Sequence, residues 1–144
     1  MKRAFAVDAV IDRPARDVWQ VLTDWERAPR WMKGVESMYA ESGTRAGSTI
    51  TFHARGKTRT SEIADLDEGR SITLVTIQGG VTARYVYRLE PLDGDARTRA
   101  HLTADLATTG FPWTLFAPLI RLAVRRTDAG QIHALRATAE GAQP

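Results

Sequence analysis

The chain has 144 residues, 43% hydrophobic and 26% charged, which suits one domain large enough to bury about two thirds of its unfolded surface. Twenty Lys and Arg against 17 Asp and Glu leave a net charge of only +3. The acidic residues are scattered among the arginines, so a strong cationic field is excluded and no nucleic-acid partner is expected. Cysteine is absent, which removes disulfides, thiolate chemistry and cysteine-ligated metals.

The N-terminus, Met1-Lys2-Arg3, leads into alternating Phe5, Val7, Ala9 and Ile11 rather than a continuous apolar signal core, so a first strand and a cytoplasmic protein are expected. Pro14 stops that strand and opens a helix whose Ala15, Val18, Trp19 and Leu22 share one face. Thr23 and Glu26 have the spacing of a capping box, which predicts a second short helix ending before Pro29.

From Val35 the pattern becomes period two. Ile50, Phe52 and Ala54 alternate with Thr51, His53 and Arg55, so Phe52 is expected to face in and His53 out. Arg55-Gly56-Lys57, Asp67-Glu68-Gly69 and Gly79-Gly80 make the reversals between the strands that follow. Thr60 and Glu62 of the strand Thr58 to Leu66 could line an interior, but a lone carboxylate there is usually solvated, and the solvated reading is preferred. The clearest alternation places Val81, Ala83, Tyr85, Tyr87 and Leu89 on one face, with Arg84 on the other. In the last strand Ala100, Leu102, Ala104 and Leu106 alternate with His101 and Asp105. Six consecutive strands with short turns predict an antiparallel meander.

After Gly110 the period turns helical. One long C-terminal helix is predicted from about Trp113 to Ala139, with Leu115, Leu119 and Leu122 along one row and Val124, Ile132 and Leu135 along another. Pro118 predicts a kink or a start near that residue, and Gly130 is a second weak point. Gly141 to Pro144 lack apolar anchors and should fray. Leu115 to Val124 is too short and too interrupted to span a bilayer, which takes ~20 apolar residues.

The fold class is therefore α+β, residues 1–144 forming a single domain: a curved antiparallel sheet of about seven strands around the C-terminal helix, with two short helices after the first strand. Small residues such as Ala54, Ala83, Ala100 and Ala104 on the inner face leave room for a ligand cavity.

This order resembles the START-like, or SRPBCC, superfamily with its helix-grip fold. The carrying residues are Ile11, Pro14, Val18-Trp19, Leu22, Asp24, Pro29 and Trp31, supported by Gly47 and the Tyr85-Val86-Tyr87 strand. The bacterial polyketide cyclase/dehydrase-like branch is the nearest in pattern. The resemblance implies a small hydrophobic or aromatic ligand, such as a lipid, an isoprenoid or a polyketide-like molecule. An aromatase/cyclase or dehydratase using polar cavity residues is the alternative, and a homodimer is possible because family members pair through sheet edge or helix.

The residues expected at the ligand are Trp31, Phe52, Leu74, Tyr85, Tyr87, Leu102, Phe116, Leu119 and Asp128. Trp19 reads as a buttress under the sheet, and Trp31 as either rim packing or a stacking surface. Buried Tyr85 and Tyr87 need partners for their hydroxyls. Asp128 interrupts an apolar row. It either pairs with Arg125 or Arg121 in water or, buried against Arg84 or a tyrosine, is the best acidic group for a site. His53, His101 and His133 are too dispersed for a metal centre, and no nucleophile elbow or phosphate-cradling loop is present, so neither metal nor cofactor is expected. A further reading takes Arg121, Arg125, Arg126 and Arg136 as a surface for an acidic partner or a membrane.

Overall fold

A computed structural model describes residues 1–141. Strand β1 (Lys2–Ile11) is followed by helix α1 (Ala15–Leu22) and a 3₁₀ segment (Trp25–Arg30). The meander β2 (Val35–Ala40), β3 (Thr49–Ala54), β4 (Lys57–Asp67), β5 (Ser71–Gln78), β6 (Val81–Leu92) and β7 (Arg97–Thr108) comes next. Helices α2 (Ala117–Asp128) and α3 (Gln131–Gly141) complete the chain. The strands form one antiparallel sheet in the order β1-β7-β6-β5-β4-β3-β2, the helix-grip arrangement.

Local chemistry explains the elements. Pro14 stands immediately before α1 and has no side-chain cap to give, and the Ala15 N–H is met instead by Asp95 Oδ1 at 3.3 Å, from the β6–β7 turn. Ala15, Val18, Trp19 and Leu22 of α1 are all buried. The capping box does not form. Thr23 Oγ1 donates to the Trp19 carbonyl at 2.8 Å, Asp24 takes the cap position but gives its carboxylate to Arg27 Nη1 at 2.9 Å instead of to a backbone N–H, and the six-residue segment is 3₁₀ with Pro29 inside it. A proline one residue from the end of so short a segment leaves no length for an α-helical ladder that a box would start.

Register shifts at Arg3/Phe5, Val35/Ser37 and Ile63/Asp65 mark β-bulges, which bend the strands and raise their twist, so the sheet curls over its inner face. Thr98, Ala100, Leu102, Ala104 and Leu106 of β7 supply the buried side of that face, and Ile72, Leu74, Tyr87 and Leu89 continue it on β5 and β6.

The expected long C-terminal helix forms as α2 and α3, with its break at the Gly130 weak point. Pro118 lies in the first turn of α2, where a missing N–H costs nothing, and the helix ends at Asp128. Ala129 and Gly130 separate it from α3, whose Ile132, Leu135 and Ala139 are buried. Residues 113–116 form turns rather than helix. Gly141 is the last residue of α3, and the remainder of the expected frayed tail, residues 142–144, lies outside the described residues.

The two helices meet the sheet differently. Helix α3 packs on β1 and α1, in a solid core with Val18, Trp19, Leu22, Ala100 and Ala104. Helix α2 has no buried residue at all. Its Val124 belongs to the inward row as expected, but the row Leu115, Leu119 and Leu122 points to solvent. Helical spacing shows that an apolar stripe exists, not which side of the helix meets the sheet. Among the described residues no helix is long and apolar enough to cross a membrane.

Candidate functional site

Between α2 and the sheet lies a cavity of about 530 Å³. Its apolar wall is built by Met38, Phe52 and Leu74 from the sheet and by Ile120 and Val124 from α2, with Ala54 and Ala83 supplying width. The other two small residues expected to line it, Ala100 and Ala104, are wholly buried in the packed core. The void therefore belongs to the α2 half of the grip.

Two polar clusters interrupt this wall. On the helix side, Tyr85 Oη donates to Asp128 Oδ2, and Tyr87 Oη donates to Gln131 Oε1 at 2.6 Å. Gln131 Nε2 reaches Asp128 Oδ1 at 3.4 Å, linking the two tyrosines through the α2–α3 junction. The break at Ala129 and Gly130 lets Asp128 close one helix and Gln131 open the next with both side chains turned to the sheet. Asp128 is thus half-buried and follows the second of the two sequence readings, with tyrosine as its partner and Arg84 exposed on the opposite face of β6.

On the sheet side, Arg59 Nη1 donates to Gln78 Oε1 at 2.6 Å, and the Ser61 and Thr76 hydroxyls bond at 2.6 Å; all four residues line the cavity. Sequence reasoning weighs Thr60 and Glu62 for this wall and prefers to leave them in solvent, where they lie. Both are exposed, because the bulge between Ile63 and Asp65 reverses the parity of β4: Leu66, which packs against the core, suggests the even-numbered face, whereas Ile63 fixes the odd-numbered one. Arg59 and Ser61 were legible only from Ile63.

Electrostatics single out Asp128. Burial raises its carboxyl pKa above the usual 3.8, while the Tyr85 hydrogen bond, the Arg55 charge and the Gln131 hydrogen bond pull it back; burial prevails. Tyr85 and Tyr87 are held far above ordinary phenols, first by burial and then by the Asp128 charge, so both remain neutral donors. Lys33 and Arg55 stand exposed at the cavity edge.

The remaining expected residues divide. Phe52, Leu74, Tyr85, Tyr87 and Asp128 line the cavity. Trp31 is 3% exposed and lies behind Tyr87, edge to face with ring centroids 6.0 Å apart, its Nε1 without a hydrogen-bond partner among the described residues. Leu102 is fully buried opposite Tyr87 in the β6–β7 register. Phe116 and Leu119 are exposed and outside the lining, because the sheet side of α2 is taken by Ile120 and Val124. Trp19 is the expected buttress, buried with Nε1 3.3 Å from Glu68 Oε1. The histidines lie apart: His53 bonds Thr58 at 2.8 Å, His101 sits between Asp8 and Glu90, and His133 is exposed.

Trp113 is a lining residue that sequence reasoning missed. Its indole lies against the β5–β6 turn so closely that a Cβ on Gly80 would stand 2.2 Å from Trp113 Cδ1 and 2.3 Å from the Thr109 carbonyl oxygen. In sequence the Gly79-Gly80 pair shows only a turn. A doublet of glycines also gives a ring somewhere to lie, but nothing in sequence says which ring.

Comparison with known proteins agrees with this architecture. The ZhuI aromatase/cyclase from Streptomyces sp. R1128 is 22% identical with a TM-score of 0.76, covering 94% of this chain and 92% of its own. The di-domain aromatase/cyclase BexL of the BE-7585A biosynthetic pathway is 21% identical with a TM-score of 0.77 over 97% of this chain, which spans 47% of BexL. A START superfamily protein from Mycobacterium smegmatis is 14% identical with a TM-score of 0.72, covering 94% of this chain and 96% of its own. No curated protein matches in sequence. Residues 2–140 match the model of the family described as polyketide cyclase/dehydrase and lipid transport, and the chain belongs to that family.

Proposed function

We propose that this protein binds a small apolar or aromatic molecule, of lipid, isoprenoid or polyketide-like type, in the cavity between the sheet and α2. The observation that carries the reading is a void of about 530 Å³ that is mainly apolar yet holds two hydrogen-bonded polar clusters, the make-up of a site that takes a hydrocarbon body and fixes a few oxygens. Ala83→Phe tests it. The new ring fills space beside Tyr85 without touching the α3 core, so binding of a naphthalene-based fluorescent probe should fall at least about tenfold while the thermal midpoint stays high. Probe binding unchanged by the substitution would remove the cavity from consideration.

The Asp128–Tyr85 pair favours a second reading, an aromatase/cyclase or dehydratase, and aromatase/cyclases stand among the similar structures. A carboxylate whose proton affinity is raised by burial is a stronger base than one in water. On this reading it takes a proton from carbon between two carbonyls, and the bonding pair moves onto a carbonyl oxygen that Arg59 or the Tyr85 hydroxyl stabilises. Asp128→Asn should then lower turnover of a poly-β-keto thioester by about 10²-fold or more with little change in probe binding. Equal turnover by variant and wild type would leave binding alone.

A further inference from the structure

The outward side of α2 and the connector before it form the largest concentration of exposed apolar side chains among the described residues. Phe111 is 83% exposed, Leu115 65%, Leu119 63%, Phe116 46% and Leu122 43%. Helical spacing puts Leu115, Leu119 and Leu122 on one stripe, and none is needed by the cavity, whose helix wall is Ile120, Ala123, Val124 and Thr127. The helix is apolar on both sides. A water-facing stripe of this kind on a protein with a filled core signals an interaction surface.

Charge identifies what that surface meets. Between Asp105 and Asp128 the chain has no acidic residue and three arginines, Arg121, Arg125 and Arg126. Asp128 itself is turned inward to Tyr85. None of the three arginines makes an ion pair or a side-chain hydrogen bond with the described residues. Arg125 and Arg126 occupy the last turn of α2, beyond the leucines, and are exposed. Apolar side chains at one end of a helix and unpaired guanidinium groups at the other match an interface where hydrocarbon lies under a layer of phosphate: the leucines enter, and the arginines extend to the headgroups. The same face of a second copy, paired about a two-fold axis, would offer the same cations and no acid.

We infer that the Phe111–Arg126 face of α2 docks on a membrane surface carrying anionic lipid. Phe111, Leu115, Phe116, Leu119 and Leu122 lie below the headgroups, and the Arg125–Arg126 end of the helix stays among them. Docking is independent of whether the cavity holds a ligand.

The test is co-sedimentation of the full chain with vesicles of phosphatidylcholine alone and of phosphatidylcholine mixed with phosphatidylglycerol, at low and high salt. Binding to the mixed vesicles that weakens with salt is expected. Trp113, the one partly exposed tryptophan among four, should shift its emission to the blue, since Trp19, Trp25 and Trp31 are already buried. Leu119→Glu with Leu122→Glu should abolish sedimentation, and Arg125→Glu with Arg126→Glu should weaken it by more than about tenfold. All four positions are exposed, so circular dichroism should report an unchanged fold. Absence of binding to either vesicle overturns the proposal, as does binding that neither pair of substitutions reduces. A dimer in solution that Leu119→Glu converts to monomer also overturns it, by assigning the stripe to self-association.

Discussion

Asp128 receives the Tyr85 hydroxyl while lying largely out of water, and these two facts pull its proton affinity in opposite directions. Desolvation prevails, so the folded-state pKa lies above that of the unfolded chain. The contribution of this group to stability is therefore complete below the unfolded value of 3.8 and is lost as pH rises through the folded value. Asparagine keeps the shape and a carbonyl oxygen for Tyr85 but does not ionise. The Asp128→Asn thermal midpoint, relative to wild type, should rise as pH goes from about 3 to about 8, on top of a constant offset from the altered Gln131 contact. A difference that does not change with pH would mean that Asp128 titrates as in water. The same position shows what sequence can give at this scale. An acid on an apolar helical row was visible, but its direction depended on the α2–α3 break, which only the three-dimensional path of residues 128–131 fixes.

At the scale of elements, the connector from Gly110 to Phe116 lies against the Gly79-Gly80 turn through Trp113. Gly80→Ala puts a methyl into the indole and against the Thr109 carbonyl, and the backbone atom cannot move away as a side-chain tip would. Destabilisation of about 1–3 kcal/mol is expected, with Trp113 displaced and its emission moved to longer wavelength. Denaturant unfolding followed by fluorescence checks both; a midpoint equal to wild type would show that the turn tolerates a side chain. Elements whose apolar residues have a single possible use, such as β6, β7 and α1, were legible in sequence to within a few residues. β4 was not, since a bulge reverses its faces midway, and α2 was not, since both its sides are apolar. In each case the pattern is present and its polarity is set by neighbours far along the chain.

For the molecule as a whole, the curved sheet grips one helix tightly and stands off from the other. Leu135 is wholly buried among β1, α1 and α3, whereas Val124 faces open space. Leu135→Ala should cost about 2–5 kcal/mol, as truncation in a packed core does, while Val124→Ala should cost less than about 1.5 kcal/mol because the neighbouring void already exists. Urea unfolding of the two variants decides; equal losses would mean that the α2 half is packed as firmly as the α3 half. Architecture was readable from element order, because an apolar sheet face needs a helix to cover it. The unequal division of that helix was not, since it follows from small residues and a break that matter only once sheet and helix are face to face.

Strand β1 has a part in how fast this molecule assembles. Strands β2 to β7 each pair with the next strand in sequence, so their pairings form between nearby residues, but β1 pairs with β7 across most of the chain, Lys2 opposite Leu106. That closure fixes a loop of about a hundred residues before its contacts are gained, a step whose entropic cost grows with the logarithm of loop length. The seats of α2 and α3 both include β1, so neither C-terminal helix has a complete place to dock until the first strand has found the last. The ends of the sequence therefore fold together, and the rate at which they meet sets a limit on how quickly the cavity acquires its roof.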